Sequence, residues 1–200
     1  MPFAVWNILD MVAASSKESV EALLSSFSCS KEIEGEYINL NPDIEHFIKE
    51  NAVQFALEKK SVTYIVGDAS DGAVLGYFTL AHKSIEIPVS GLSKTTIKRM
   101  SRFADLDDDK QSFTISSFLI AQFGKNYAVD GGKRISGKDL MELTQAELMD
   151  SQHRVGGGME YLDCLGDAQL IDFYEDEGFR LFGERTSKDG KSYLQYMRFF

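Results

Sequence analysis

Apolar positions along the chain alternate between a helical and a strand period, and each switch marks an element. Lys17 to Phe27 repeats them at Val20, Leu23, Leu24 and Phe27, a helical spacing. Asn41-Pro42 sets a cap and an N1 proline ahead of Ile44, Phe47, Ile48, Ala52, Phe55, Ala56 and Leu57, which predicts an amphipathic helix ending near Lys60. Residues 61–68 and 73–87 are β-rich runs around the turn A-S-D-G, a hairpin whose second strand Pro88 closes. Residues 92–103 return to helical spacing. Phe113–Phe123 is mostly apolar and rich in β-branched and aromatic residues, which predicts a buried strand. Leu140, Met141, Leu143, Thr144 and Leu148 then recur as a helix that Gly156–Gly158 ends. Met159–Leu165 reads as a strand, and Asp167 caps a short helix stopped by Gly178. Two strands around S-K-D-G-K complete the chain. The first sixteen residues read as an apolar lead, a peripheral strand or helix, into a Ser-rich linker. The order predicts an α/β fold, a single mixed, largely antiparallel β-sheet flanked by helices.

Two hundred residues, 44% hydrophobic and 26% charged, fit one domain (1–200) with a core of its own. The longest apolar stretches are too short to span a bilayer, and Met1–Asp10 has no basic region typical of a signal peptide. No membrane role is expected, and a cytoplasmic protein is. Cys29 and Cys164 provide neither a disulfide framework nor a metal cluster, so both are expected as buried, reduced thiols. The net charge of −10 argues against broad electrostatic capture of nucleic acid. A local exception is S-K-T-T-I-K-R-M-S-R, with Lys94, Lys98, Arg99 and Arg102. The acidic Asp105, Asp107, Asp108 and Asp109 follow directly, which fits a solvated helix offset by its neighbouring turn.

Between the strand ending at Phe123 and the helix lies a loop with Gly131, Gly132, Lys133, Arg134, Gly137 and Lys138. A strand, a glycine- and cation-rich loop and a helix N-terminus make a cradle for phosphate, because the first helical N–H groups lack intrahelical partners and the macrodipole is positive there. Ser136 and Asp139 resemble a capping box, which starts the helix near Gly137. The nucleotide-triphosphate and dinucleotide fingerprints are both absent. A plain glycine-rich β–α connection is the alternative.

The order of elements and the residues at their joints resemble the GNAT N-acetyltransferases over roughly residues 20–185. The motif F-Y-x-x-x-G-F stands as Phe173-Tyr174-Glu175-Asp176-Glu177-Gly178-Phe179, after the hairpin G-Y-F-T-L and the strand I-A-Q-F-G-K. Within the family, the early half resembles the acetyltransferase toxins of bacterial toxin–antitoxin modules. Those carry an F-x-C, here Phe27-Ser28-Cys29, and an S-x-T-Y-x-x-x-D, here Ser61 to Asp68. The resemblance implies acetyl-CoA (coenzyme A) as cofactor, an amine acceptor such as aminoacyl-tRNA, an antitoxin partner and a homodimer. It implies that backbone at Phe123, Gly124 and Lys125 faces the cofactor arm. Gly132, Lys133, Arg134, Ile135, Ser136, Gly137 and Lys138 would then surround its pyrophosphate. The loop departs from the family's [QR]-x-x-G-x-[GA]: Gly132 stands for Gln/Arg and Ile135 for Gly.

Acetyl transfer from a thioester to an amine needs positioning, a polarised carbonyl and a proton for the departing thiolate. The resemblance gives the last role to Tyr174, a suitable acid for a thiolate of comparable basicity. The alternative is that Tyr174 only packs with Phe173 and Phe179. No general base stands out; His82 and His153 are read as surface residues and Cys164 as core. Acetylation of a small-molecule or protein amine, or a non-catalytic GNAT-fold binding module, are the competing functions.

Overall fold

A computed structural model describes residues 3–200. Strand β1 (Phe3–Asn7) opens the chain and passes straight into α1 (Ile8–Ala14), because the Asn7 side chain accepts from the Leu9 N–H and caps the helix. Ser16 caps α2 (Lys17–Leu24) in the same way. A small antiparallel hairpin, β2 (Ser30–Ile33) with β3 (Glu36–Asn39), follows. Helices α3 (Pro42–His46) and α4 (Ala52–Leu57) are joined by a π-helical turn over Phe47–Asn51. Pro42 holds the first helical position as expected. Asn41 makes no side-chain cap; its N–H is instead taken by the Asn39 side chain.

The hairpin is β4 (Val62–Asp68) and β5 (Val74–Pro88), followed by α5 (Lys94–Met100) and the two-residue β6 (Leu106–Asp107). Then come β7 (Ser112–Lys125), α6 (Gly137–Val155), β8 (Met159–Cys164), α7 (Ala168–Asp176), β9 (Arg180–Thr186) and β10 (Ser192–Phe199). Among the described residues, eight strands form one sheet in the order β1-β4-β5-β7-β8-β10-β9, with β6 beside β7. The β7–β8 pair is parallel, over Phe118–Ile120; β1–β4, β4–β5, β6–β7, β8–β10 and β9–β10 are antiparallel. The mixed, largely antiparallel α/β sheet is the one the periodicity predicts.

The chain divides into two compact units, and β5, β7 and α6 each continue from one into the other. The first holds residues up to Ala81 and Ala121–Glu147. Its core gathers Ile8, Val20, Leu24, Phe27, Cys29, Ile48, Ala52, Ile65 and Tyr77. The second holds His82–Ile120 and Leu148–Phe200, with a core of Ile87, Met100, Phe113, Ile115, Met159, Tyr161 and Met197. No helix among the described residues is long and apolar enough to cross a membrane.

Candidate active site

In the first unit, β7 is followed directly by a residue that the sequence did not single out. Asn126 is buried and its side chain makes three bonds: it accepts from the Ser28 N–H (3.0 Å) and the Ala128 N–H (3.1 Å), and donates to the Val74 carbonyl (2.8 Å). Its own N–H reaches the Leu75 carbonyl at 2.8 Å, and the Tyr127 N–H reaches the Ser28 carbonyl at 2.7 Å. The strand end is therefore tied both to β5 and to the segment after α2. Gly124 is required here for a packing reason. A Cβ on it would lie 2.5 Å from Ile44 Cγ2 of α3.

Beyond Asn126 the loop turns through Asp130, Gly131 and Gly132, all with positive φ. A Cβ on Gly132 would lie 2.9 Å from the Tyr127 ring, so glycine fits both the backbone and the space. The Gly132 N–H is already bonded to the Val129 carbonyl at 2.9 Å. Arg134 turns back to β4, where its guanidinium pairs with Asp68 and, at 2.9 Å, with Asp71. Asp68 is buried and also accepts from the Ser70 hydroxyl and N–H. Those bonds first, and Arg134 after them, hold its carboxyl at about 2. Ile135, at the position that the GNAT loop pattern gives to glycine, is buried and pins the loop to the core. The exposed cations of the loop are Lys133 and Lys138.

The predicted capping box is present. The Asp139 carboxylate accepts from the Ser136 N–H at 2.8 Å, and the Ser136 hydroxyl accepts from the Asp139 N–H at 3.0 Å. Helix α6 begins at Gly137, so the N–H groups of Gly137 and Lys138 are among those with no acceptor inside the helix. They form, with Lys133 and Lys138, the part of the loop able to take an anion. Lys125 lies over the Tyr127 ring, 5.7 Å from its centre. Burial pushes its amine below the usual range, and Lys31 adds to that while Asp139 opposes it.

Strand β7 carries one further polar oddity in this unit. The Gln122 side-chain oxygen is sealed from solvent without a hydrogen-bond partner; Ser61 Oγ is the other such atom among the described residues.

In the second unit, Tyr174 is the buried residue of α7. Its ring meets Phe173 and Phe179 edge-on at 5.2 and 5.9 Å. Burial, with Cys164 nearby, raises its phenol well above the usual range, so it stays protonated at neutral pH and is a weaker acid than the match to a thiolate expected from the sequence. The end of α7 is fixed by Arg198, which donates to the Glu177 carbonyl (3.0 Å) and to the wholly buried Glu160 carboxylate (2.6 Å). The same guanidinium lies over the Phe179 ring. Cys29 and Cys164 are buried free thiols, raised to about 12 and about 11 by desolvation, and neither is a ready nucleophile. His82 contacts Phe118 and sits 3.4 Å from the Ser116 hydroxyl.

The structure thus brings the ten predicted cofactor residues into one loop and strand end of the first unit, and places Tyr174 in the second. It commits Arg134 to carboxylates and Ile135 to the core. Asn126 and Gln122 could have been noticed as polar residues at the end of an apolar run; the Asn126 partners Ser28 and Val74 are distant in sequence, and the sealing of the Gln122 oxygen is a property of the packing.

No protein-family profile matches the sequence, and no curated protein matches it. Solved structures do match. A tyrosine-to-phenylalanine mutant of KacT superimposes with a TM-score of 0.61 at 16% identity, over 98% of this chain and 95% of that one. AtaT complexed with acetyl-methionyl-tRNAfMet gives 0.60 at 17% identity, over 96% and 94%. AtaTR bound with AcCoA gives 0.54 at 14% identity, over 96% and 91%. The chain has the GNAT fold of these toxins, and its resemblance to them holds in fold across nearly its whole length.

Proposed function

We propose that this chain is an acetyl-CoA-dependent N-acetyltransferase acting on a primary amine, with aminoacyl-tRNA as its acceptor in the manner of a toxin. The observation that carries the reading is the junction from β7 to α6: a strand end tied down by Asn126, then a capped helix start with unsatisfied amides at Gly137 and Lys138. In that reading the backbone of Phe123, Gly124 and Lys125 faces the cofactor arm, and the segment from Gly132 to Lys138 receives the pyrophosphate. Lys133 and Lys138 supply its charge; Arg134 shapes the loop through Asp68. The thioester is already activated, so holding it in place is the largest contribution. When bound, the cofactor supplies the acetyl group and a thiolate that needs a proton. Tyr174 holds that proton at its Oη. The support from relatives is one of fold, together with ligands seen on the neighbours: AtaTR is bound with AcCoA and AtaT is complexed with acetyl-methionyl-tRNAfMet.

Titration of acetyl-CoA by calorimetry tests the cofactor, with uptake expected at millimolar ligand or below. Transfer of labelled acetyl to charged tRNA tests the acceptor. An antitoxin and a homodimer belong to the same proposal; AtaT is known bound to the C-terminus of AtaR. A second reading, acetylation of a small-molecule or protein amine, is favoured by the net charge of −10. The exposed Lys94, Lys98, Arg99 and Arg102 on and after α5 supply a local cationic face for tRNA. Binding that weakens steeply with salt supports the tRNA acceptor; indifference to salt supports the small amine.

A further inference from the structure

Two buried polar atoms among the described residues lack a partner, and one lies on the strand assigned to the cofactor. It is the side-chain oxygen of Gln122. An amide oxygen sealed in a protein interior keeps its desolvation penalty until a donor reaches it, so natural structures rarely leave one unmet. Its place on the strand narrows what that donor can be. Side chains alternate across a strand, so Gln122 projects to the same face as Gly124. That face is the one on which α3 packs, since a Cβ at Gly124 would meet Ile44 at 2.5 Å and Tyr77 at 3.5 Å. Backbone groups of β7 lie in the plane of the sheet, where the reading above puts the cofactor arm. The Gln122 oxygen stands out of that plane. It is therefore placed for a group lying over the strand rather than along its edge.

We propose that the Gln122 carboxamide oxygen accepts a hydrogen bond from the N–H of the amine acceptor, which makes Gln122 a specificity-determining residue. This rests on the acetyltransferase reading. An amine arriving at a thioester keeps at least one N–H that must be oriented while its lone pair attacks carbon, and a neutral acceptor orients it without withdrawing the lone pair. No bond is made or broken at Gln122. The residue favours acceptors that present an N–H over ligands of the same shape with no donor at that point, such as a tertiary amine or a thioether, because a site built around a buried acceptor rejects ligands that cannot donate.

The test compares the unmodified protein with Gln122→Leu, which removes the acceptor, and Gln122→Glu, which keeps one in the same shape. Acetyl-CoA affinity is measured by calorimetry, thermal stability by calorimetric scanning, and kcat/KM with methionyl-tRNA and with methionine amide. The expected result is a loss of about tenfold or more in kcat/KM for the amine in Gln122→Leu. Acetyl-CoA affinity stays within about twofold, and Gln122→Glu recovers most of the loss. An unchanged kcat/KM in Gln122→Leu with raised thermal stability overturns the proposal, since the oxygen then serves no ligand. A parallel fall in acetyl-CoA affinity also overturns it, by assigning the donor to an amide of the cofactor. An unmodified protein that binds acetyl-CoA but acetylates neither amine overturns the assignment for this class of acceptor. One that fails to take up acetyl-CoA at all removes the acetyltransferase reading itself, and this assignment with it.

Discussion

The two regions assigned to chemistry are held by different physics. In the first unit, the end of β7 and its loop are fastened by polar side chains. Asn126 bonds three backbone groups, and Arg134 pairs with Asp68 and Asp71. In the second, the F-Y-x-x-x-G-F helix is fastened by rings in edge-on contact and by one buried ion pair, Glu160–Arg198. The loop must leave backbone amides available, and polar latches hold a chain at a few points without covering it. A buried tyrosine must be surrounded, and packing does that. The lesson is that the polar latches should fail separately, and the packed helix as a whole.

The sharpest way to break the comparison is at Arg198. Glu160 has no exposure, and removing Arg198 takes a 2.6 Å charge-assisted bond from a carboxyl inside the second unit. Arg198→Met should cost about 3–5 kcal/mol, read from urea unfolding, and the double variant Glu160→Met/Arg198→Met should recover most of it. If the single variant unfolds at the same urea concentration as the unmodified protein, the ion pair does not hold α7.

Tyr174→Phe sharpens the same side. It keeps the ring against Phe173 and Phe179, so stability should change by less than about 1 kcal/mol. Turnover should fall by about 10²-fold with acetyl-CoA affinity intact, because only the proton donor is lost. Equal turnover would return Tyr174 to a packing role. Because burial keeps the phenol protonated, its titration should add no loss of activity between pH 6 and pH 9, a range of roughly neutral to mildly basic conditions.

On the first side, Asn126→Ala strands the Ser28 and Ala128 N–H groups and the Val74 carbonyl. A buried group left unmet costs about 1–3 kcal/mol, so an overall loss near the upper part of that range is expected, with weaker acetyl-CoA binding. Calorimetry and urea unfolding read both. Gly124→Ala is a steric counterpart. Its Cβ would lie 2.5 Å from Ile44, and overpacking of this kind costs about 1–3 kcal/mol. Ile44→Ala in the same chain, which removes the Cγ2 that the new Cβ meets and leaves a Cβ 3.9 Å away, should return part of that cost; no recovery would mean that Gly124 is needed for some other reason.

The difference between the regions also explains what could be read in advance. Elements with a buried face announced themselves: β4, β5, β7 and α6 follow from their apolar period, and the Ser136–Asp139 cap from its spacing. The β2–β3 hairpin did not, because its strands are exposed and charged, with only the Glu34-Gly35 turn at positive φ to betray it. The toxin-like motifs were legible as letters, while their work is structural. Phe27 packs on Tyr77, the Cys29 N–H donates to Glu45, and Thr63 bonds Thr79 across the hairpin. Arg134 reads as a phosphate ligand because a cation in a glycine-rich loop usually points outward. Its carboxylate partners are more than sixty residues earlier, beyond any local pattern.

Asp68 closes the motif S-x-T-Y-x-x-x-D, and its pH dependence is the finest probe of the polar side. The Ser70 hydroxyl and N–H, and then Arg134, favour its ionised form, so its folded value of about 2 lies below the ordinary 3.8. A carboxyl depressed on folding contributes stability that is fully present above its unfolded value and lost as pH falls toward its folded one. The loss should therefore run between pH 3.8 and about 2, with no contribution to slope near neutrality. Asp68→Asn removes that titration. Melting temperatures of the two proteins should differ by a constant amount above pH 5, roughly a unit clear of the transition, and draw together only in acid. The same variant releases Arg134 from its shorter contact, so the loop's pairing with Asp71 alone should weaken acetyl-CoA binding less than Asn126→Ala does. A difference in melting temperature that varies between pH 6 and pH 8, roughly two units or more above any carboxylate value, would mean that Arg134 and Asp68 are not the latch on this loop.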